Sequence, residues 1–332
     1  MCLKELFRIL LIVNLSFLIF SCASNNELYN IPKYNSDISS IDYSNNTFVI
    51  IGDTQRTGFL EQYFCLRESN DSVQFILFDF IASLKQEPEF ILHLGDMVYD
   101  GSSGNDWKYF DASTKQIRDL NIPIIPVLGN HEYYGDSLER AKNINSRFNN
   151  LKDSSWKAFV FNNIGIVLLN SNEELSLYQT EKQKNFFTNS IDTFESDSNI
   201  NYIIVATHHP PYTNGKGIGF DESEYVQNYF VEKFISSKKT GLFLSGHCHN
   251  YEHLLISDKH FIISGGGGGP RRKIDLDGDY IDITKGVEEN EEERGFNFIE
   301  IEVLNDSLLI EVHSYNKDRE EWYNGDYFKI SN

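Results

Sequence analysis

The sequence predicts an α/β fold built on a mixed sheet, and three observations predict it. Five short, nearly continuous apolar runs are spread along the chain: "TFVII" (47–51), "EFILHL" (89–94), "IPIIPVL" (122–128), "NYIIVAT" (201–207) and "TGLFL" (240–244). Runs of that length and evenness suit strands covered on both faces. Longer segments between them, "SVQFILFDFIASLKQ" (72–86) and "WKYFDASTKQIRDL" (107–120), repeat their apolar residues at helical spacing. Strands alternating with amphipathic helices imply an α/β arrangement. Two later pairs, "WKAFVFNN" with "IGIVLLN" and "GFNFIEIEVLND" with "SLLIEVHSY", meet at Asn-rich turns and look like hairpins. They add antiparallel strands to the sheet.

The N-terminus stands apart from this pattern. Lys4 and Arg8 precede the apolar stretch "ILLIVNLSFLIF" (9–20), and small residues follow. This is the layout of a secretory signal. The stretch is about a dozen residues, short for a membrane span. Cys22 comes directly after Ile19, Phe20 and Ser21. The segment 1–22 resembles a bacterial lipoprotein signal, in which such a cysteine is lipidated, so an exported protein tethered to a membrane through Cys22 is expected. Residues 23–46, rich in Asn, Ser, Asp and Tyr, show no period. They are read as a flexible tether. From Thr47 to the end the pattern is that of one domain, 47–332, with no internal repeat.

Composition narrows the function. The formal net charge of the 332-residue chain is −20. Such a surface repels nucleic-acid backbones, so no nucleic-acid-binding surface is expected. An anionic substrate would need a local positive feature such as metal ions. Beyond Cys2 and Cys22 only Cys65 and Cys248 remain. That is no disulfide framework, and sequence does not tell whether the two pair.

The ends of the five runs carry the chemistry. The first ends "GDTQ", with Asp53 and Gln55. The second ends "GDMVYDG", with Asp96, Tyr99 and Asp100. The third ends "GNHEYY", with Asn130, His131 and Glu132. The fourth ends "HHPPY", with His208 and His209, and the fifth "GHCHNYEH", with His247 and His249. In open α/β sheets the functional crevice lies at the carboxyl ends of the strands. A Gly-Asp turn or a lone histidine is unremarkable, but five strands delivering metal-type side chains to one rim point to a metal centre. The glycines before these residues (52, 95, 129 and 246) allow a sharp turn and close approach. Two carboxylates, several imidazoles and an amide oxygen exceed the needs of one tetrahedral zinc, so two ions are expected. Mixed oxygen and nitrogen donors suit Fe, Zn or Mn. Alternation turns Cys248 away from His247 and His249.

Together "GDTQ", "GDMVYDG", "GNHE", "HHPP" and "GHCH" resemble the five ordered motifs of the calcineurin-like metallophosphoesterases, over roughly 48 to 315. The glycine-rich "SGGGGGP" (264–270) is similar to a stretch that follows the last motif in that family. The resemblance implies a two-sheet β-sandwich of mixed sheets flanked by helices, and hydrolysis of phosphate esters at a dinuclear metal centre by a bridging hydroxide. It implies Asp53 and His249 on the first metal and Asp96 between the two. It implies Asn130, His208 and His247 on the second, and His131 as the acid for the leaving oxygen. Asn130, His131 and His209 would face the substrate. Two positions depart from the family pattern. Gln55 stands where most members have histidine, which implies a looser first site. Tyr99 stands where many have aspartate; the purple acid phosphatase branch has tyrosine there as an iron ligand, so Tyr99 is a further candidate ligand. A non-catalytic surface protein binding a partner through the same fold is the alternative.

Other motifs have structural readings. His93 lies within an apolar run and is expected in the core; His260 and His313 are isolated. Arg271, Arg272 and Lys273 read as a solvated loop or as a landing place for an anion. "DLDGDYIDI" (275–283) lacks the glycine and glutamate of a calcium loop.

Overall fold

In β1 (Thr47–Ile51) neighbouring side chains take opposite faces, Phe48 and Ile50 packing one way and Val49 and Ile51 the other, all of them buried. The same alternation recurs strand by strand and produces three apolar layers in this computed structural model. The described residues are 29–41, 43–151, 154–172, 177–216, 222–285 and 292–331. The chain divides into two units, Met1–Pro32 and Lys33–Asn332, and the second holds all the described strands and helices. The signal segment with Cys22 lies outside the described residues.

Among the described residues, twelve strands form two six-stranded sheets. After β1 come β2 (Ile91–His93), β3 (Ile124–Pro126), β4 (Lys157–Phe161), β5 (Ile164–Leu168), β6 (Tyr202–Ala206) and β7 (Thr240–Ser245). The last five are β8 (Tyr251–Ile256), β9 (Lys259–Ser264), β10 (Phe296–Val303), β11 (Ser307–Asn316) and β12 (Glu321–Ser331). The first sheet runs β12-β11-β10-β1-β2-β3 and the second β4-β5-β6-β7-β9-β8. β1, β2 and β3 are parallel, and β10 joins β1 antiparallel. β5, β6, β7 and β9 are parallel, with β4 and β8 antiparallel at the edges. Both hairpins read from the sequence form, as β4–β5 and β10–β11.

Side chains from all twelve strands meet in the core between the sheets, among them Phe48, Leu92, Ile125, Phe161, Ile204, Leu244, Ile299 and Ile310. Helices α1 (Phe59–Tyr63), α2 (Val73–Ala82), α3 (Gly104–Ser113), α4 (Lys115–Asp119) and α5 (Ser137–Arg147) follow in the first half of the chain. Leu77, Phe78 and Ile81 of α2 and Trp107 and Phe110 of α3 cover the outer face of the first sheet. Helix α6 (Leu177–Ser196) and the helical turns Glu224–Val226, Gln227–Val231 and Glu232–Ser236 cover the second through Phe187, Ile191, Phe230 and Phe234. The result is the layered, metallophosphoesterase-like fold the motifs imply. The segment expected as one helix over 107–120 divides at Thr114. Its hydroxyl bonds back to the Phe110 carbonyl at 2.6 Å, a local bond that competes with a continuous helix.

Two features differ from the residue-level reading. The five apolar runs do not share one sheet: the first three lie in one and the last two in the other, so the rim is assembled from both. Residues 33–41, polar in composition, pack onto the domain. Tyr34 is buried, stacks on Phe148 and donates to Asp111 Oδ1 at 2.9 Å, and Ile41 joins the central core. Asp111 is held in turn by Arg147, whose Nε and Nη2 reach its two oxygens at 3.0, 3.1 and 2.6 Å.

Candidate metal centre

Three of the five strand ends, those after β1, β2 and β7, stop in a tight turn made by the functional residue itself. Asp53, Asp96, His247 and His249 all have positive φ, of 58°, 53°, 71° and 44°. This left-handed backbone is strained for residues with a Cβ, at about 1–3 kcal/mol each, and clusters at functional sites. Of the four preceding glycines, only Gly95 has positive φ. Gly129 serves close approach instead: a Cβ there would overlap Asp96 Oδ1.

The two aspartates are fully buried and converge. The ligand atoms of Asp53, Asp96 and His208 lie within 4.8 Å of one another, as do those of His208, His209 and His247. Asp53 accepts the His247 N–H on Oδ1 and Oδ2 at 3.0 and 2.9 Å, and its Oδ1 is 3.6 Å from His249 Nε2. Asp96 Oδ1 accepts the His131 N–H at 2.9 Å. Asp96 Oδ2 lies 3.3 Å from His208 Nε2 and 3.8 Å from His131 Nε2. Asn130 Oδ1 faces His208 Nε2 at 3.0 Å.

Backbone carbonyls fix three of the imidazoles. His208 Nδ1–H donates to Leu94 O at 2.9 Å, His249 Nδ1–H to Pro270 O at 3.0 Å, and His131 Nδ1–H to Tyr99 O at 2.6 Å. Each bond leaves Nε2 directed at the carboxylates, the arrangement that orients metal-binding histidines. Gln55 closes the group, its amide 2.9 Å from His249 Nε2. The His249 tautomer set by Pro270 lets the Gln55 amide nitrogen donate to that ring, whereas the opposite amide orientation turns the oxygen to it and the nitrogen to Asp96 O.

Titration behaviour follows from crowding charge without water. Burial, reinforced by Asp96, pushes Asp53 well above the usual carboxylate range against the pull of His208. Burial would raise Asp96 as well, but His208 and His131 hold it below that range. Burial is the largest influence on His208 and opposes its charge, yet Asp96, Asp53 and the Leu94 carbonyl together outweigh it and raise the imidazole to about 9. Burial lowers His249 to about 4, and burial together with His208 lowers His209 to about 3. Burial and the neighbouring His209 and His208 bring His247 well below its ordinary value. Burial thus keeps His209, His247 and His249 neutral, while Asp96 and His208 are held as a charged pair. Neutral imidazoles and carboxylates, with no thiolate, are the donor set of Fe, Zn or Mn, and cations there would balance the buried charge. Cys248 is buried beside Gly215, Cys65 is exposed, and neither is in a disulfide.

Other candidates lie differently. The Tyr99 ring rests on His131 at 5.2 Å and under Gly58, and the groups that raise its phenol, after burial, are Glu61, Tyr134, Asp100 and Asp106 rather than Asp53 and Asp96. His209 turns Nδ1 to Ser171 Oγ at 2.9 Å while its ring packs 4.5 Å from His247. His93 is a core residue bonded to Thr54 Oγ1 at 3.0 Å. His260 pairs with His253 at 2.8 Å, and His313 with Glu300 at 3.0 Å beside Glu311, on β10 and β11. Arg271 is engaged by Glu68 through Nε and Nη2, both at 2.9 Å.

Glu132 was named with the third motif but given no role by the sequence reasoning. Its fully buried carboxylate accepts the N–H groups of Asp96, Met97 and Gly129, each at 2.8 Å. It thereby ties the second motif to the third. Burial, with Asp96 adding to it, raises the carboxyl to about 7 against the pull of those N–H groups. The signal available in the sequence was an acid directly after His131 in a segment otherwise bound for the interior.

The sequence model of the family described as calcineurin-like phosphoesterase matches residues 46–251. Among solved structures, the fold is similar to purple acid phosphatase PPD1 from yellow lupin (Lupinus luteus) seeds, with a TM-score of 0.60 at 16% identity over 86% of this chain and 53% of that one. The chain thus spans about half the length of the lupin protein. It is similar to GAP50, described as the anchor in the inner membrane complex of Plasmodium, with a TM-score of 0.57 at 15% identity over 85% of this chain and 89% of that one. It is also similar to a dimetal phosphatase from Danio rerio, with a TM-score of 0.56 at 15% identity over 85% and 99%. At such identities the likeness is one of fold. No curated protein matches the sequence significantly.

Proposed function

Since the chain belongs to the calcineurin-like phosphoesterase family, we propose that it hydrolyses phosphate esters at a centre of two metal ions, Fe, Zn or Mn. The observation that carries this reading is the meeting of Asp53, Asp96 and His208 ligand atoms within 4.8 Å in a buried pocket of the rim. Asp53, His249 and Gln55 would hold one ion and Asn130, His208 and His247 the other, with Asp96 shared. When bound, such ions supply Lewis acidity toward a phosphoryl oxygen and lower the pKa of water.

The protein residues supply orientation and proton transfer. Pro270 O and Leu94 O keep the Nε2 lone pairs of His249 and His208 turned inward. His131 holds its Nε2 beside the centre through the bond to Tyr99 O, and its side chain is reachable from solvent. It would carry the proton that the leaving oxygen needs. Tyr99 would act through that carbonyl and its ring contact. Asn130 and His209 would face the substrate. A further proposal rests on residues 1–22 alone: the protein is exported and membrane-anchored through Cys22. Loss of membrane association in Cys22→Ser would support it, and unchanged fractionation would count against it.

The test is an assay with Mn, Zn and Fe against a matched phosphomonoester and phosphodiester, beside Asp96→Asn and His131→Ala. Hydrolysis lost in both variants supports the reading. Absence of turnover in folded, metal-loaded protein would sink it.

A further inference from the structure

A cavity of about 640 Å³ lies next to the metal centre, walled by α5, by Ser154, Ser155 and Trp156, and by the start of α6. That volume is in the range of small-molecule sites. Two chain segments set it beside the centre. In the 3₁₀ turn His131–Tyr133, His131 bonds toward Asp96 while Tyr133 lines the cavity. Two residues of such a turn advance by only about 4 Å. After β5, buried Asn170 donates to Tyr133 Oη and Ser155 Oγ, at 2.8 and 3.0 Å, and the next residue, Ser171, bonds His209 Nδ1 at 2.9 Å. The first segment therefore has one residue at the centre and a neighbour in the cavity wall, and the second runs from behind that wall to His209.

The lining has a definite chemistry. Trp156, Tyr133 and Tyr178 offer aromatic surface, and Arg140 and Lys182 bring positive charge in a chain of net charge −20. Arg140 lies over the Tyr133 ring, 5.3 Å from its centroid, and donates to the Tyr133 carbonyl, which holds the guanidinium at the wall. Aromatic faces bind planar rings, and guanidinium forks bind carboxylate or phosphate.

We propose that this cavity receives the leaving group of the substrate, and that this leaving group is an aromatic ring system bearing its own negative charge. The proposal rests on the phosphoesterase reading, and names the ester class that reading leaves open. A phosphate at the Asp53–Asp96–His208 cluster would extend its ester oxygen past His131 and its ring into the cavity, against Trp156, with the ring's acid group at Arg140 and Lys182.

The test compares three probes on the metal-loaded full chain: glycerol 2-phosphate, 2-naphthyl phosphate and 6-carboxy-2-naphthyl phosphate. kcat/KM should rise in that order, by about tenfold at each step. Trp156→Ala should collapse the preference for both aryl esters over glycerol 2-phosphate, and Arg140→Gln only the advantage of the added carboxylate. Equal kcat/KM for the three probes would overturn the proposal while leaving the phosphoesterase reading intact. Turnover of none would remove that reading instead. Equilibrium dialysis of 6-hydroxy-2-naphthoate, which has no phosphate, against the metal-free full chain then decides the cavity. Saturable retention weakened by Arg140→Gln upholds the ligand class, and no retention rejects it.

Discussion

Replacing Glu132 by Gln tests whether the centre depends on a carboxylate that would hold no ion itself. In the native structure Oε2 accepts the Asp96 and Gly129 N–H groups and Oε1 accepts that of Met97, all at 2.8 Å. Glutamine in the same rotamer keeps one oxygen. Placed at Oε2 it retains two bonds and turns its NH2 toward the Met97 N–H, leaving a buried donor without an acceptor. An unsatisfied buried donor costs about 1–3 kcal/mol, and changing two charged acceptors to neutral ones adds about 1 kcal/mol. The expected loss is about 3 kcal/mol. For a unit of about 300 residues, at an unfolding entropy of roughly 2 cal/mol/K per residue, this lowers Tm by about 5 °C. The slackened turns also carry Asp96 and Asn130, so metal affinity should fall about tenfold or more. Thermal unfolding of the metal-free protein and calorimetric titration with Zn or Mn measure the two effects separately. A variant within 1 °C of wild type and unchanged in metal affinity would show that Glu132 holds nothing in place, and the reasoning fails.

Four more outcomes are expected. His131→Ala should lower kcat about 10²–10³-fold while leaving metal content, read by elemental analysis, unchanged; loss of metal would make His131 a structural residue instead. Asp111→Ala leaves the Arg147 guanidinium buried without its carboxylate, and should cost about 3–5 kcal/mol in urea unfolding. A cost below 1 kcal/mol would show that solvent reaches Arg147 freely. Glu252, raised to about 7 by burial from an ordinary 4.5, is favoured in its protonated form by folding. Its contribution is therefore fully present below pH 4.5 and lost as pH rises through 7. Relative to Glu252→Gln, wild-type stability should fall by up to about 3 kcal/mol over that interval, and a constant difference between the two would refute the assignment. Gln55→His should tighten binding of the more weakly held ion, because imidazole is the stronger donor; weaker binding would show that the amide's bonds to the neighbouring backbone matter more.

What was legible in the sequence was chemistry carried by side-chain type. Asp53, Asp96, Asn130, His208, His247 and His249 follow apolar runs that could hardly be anything but strands, and the structure brings them to one rim. The runs did not reveal which sheet each belongs to. A strand buried on both faces looks the same whether its partner is β2 or β9, so the division of the rim between two sheets came only with the register. Backbone groups are a second blind spot, because every residue has them. Nothing in the sequence marks Pro270 O as the acceptor that sets the His249 tautomer, or the N–H groups of 96, 97 and 129 as donors that converge on Glu132. Tyr34 fails to show for a related reason: in a polar segment with no period, one aromatic ring, its hydroxyl bond to Asp111 and backbone bonds to Arg147 and Ile124 hold the chain down. Left-handed backbone at Asp53, Asp96, His247 and His249 is the most consequential omission, since the neighbouring glycines suggested that they carried the strain. The strain sits instead on the residues proposed as ligands, where the surrounding bonds must hold it. The His247 N–H on Asp53 and the His131 N–H on Asp96 are among those bonds. The carboxylates are thus fastened by the backbone of the residues they would work with, and each motif depends on its partner motif for its shape before any ion binds.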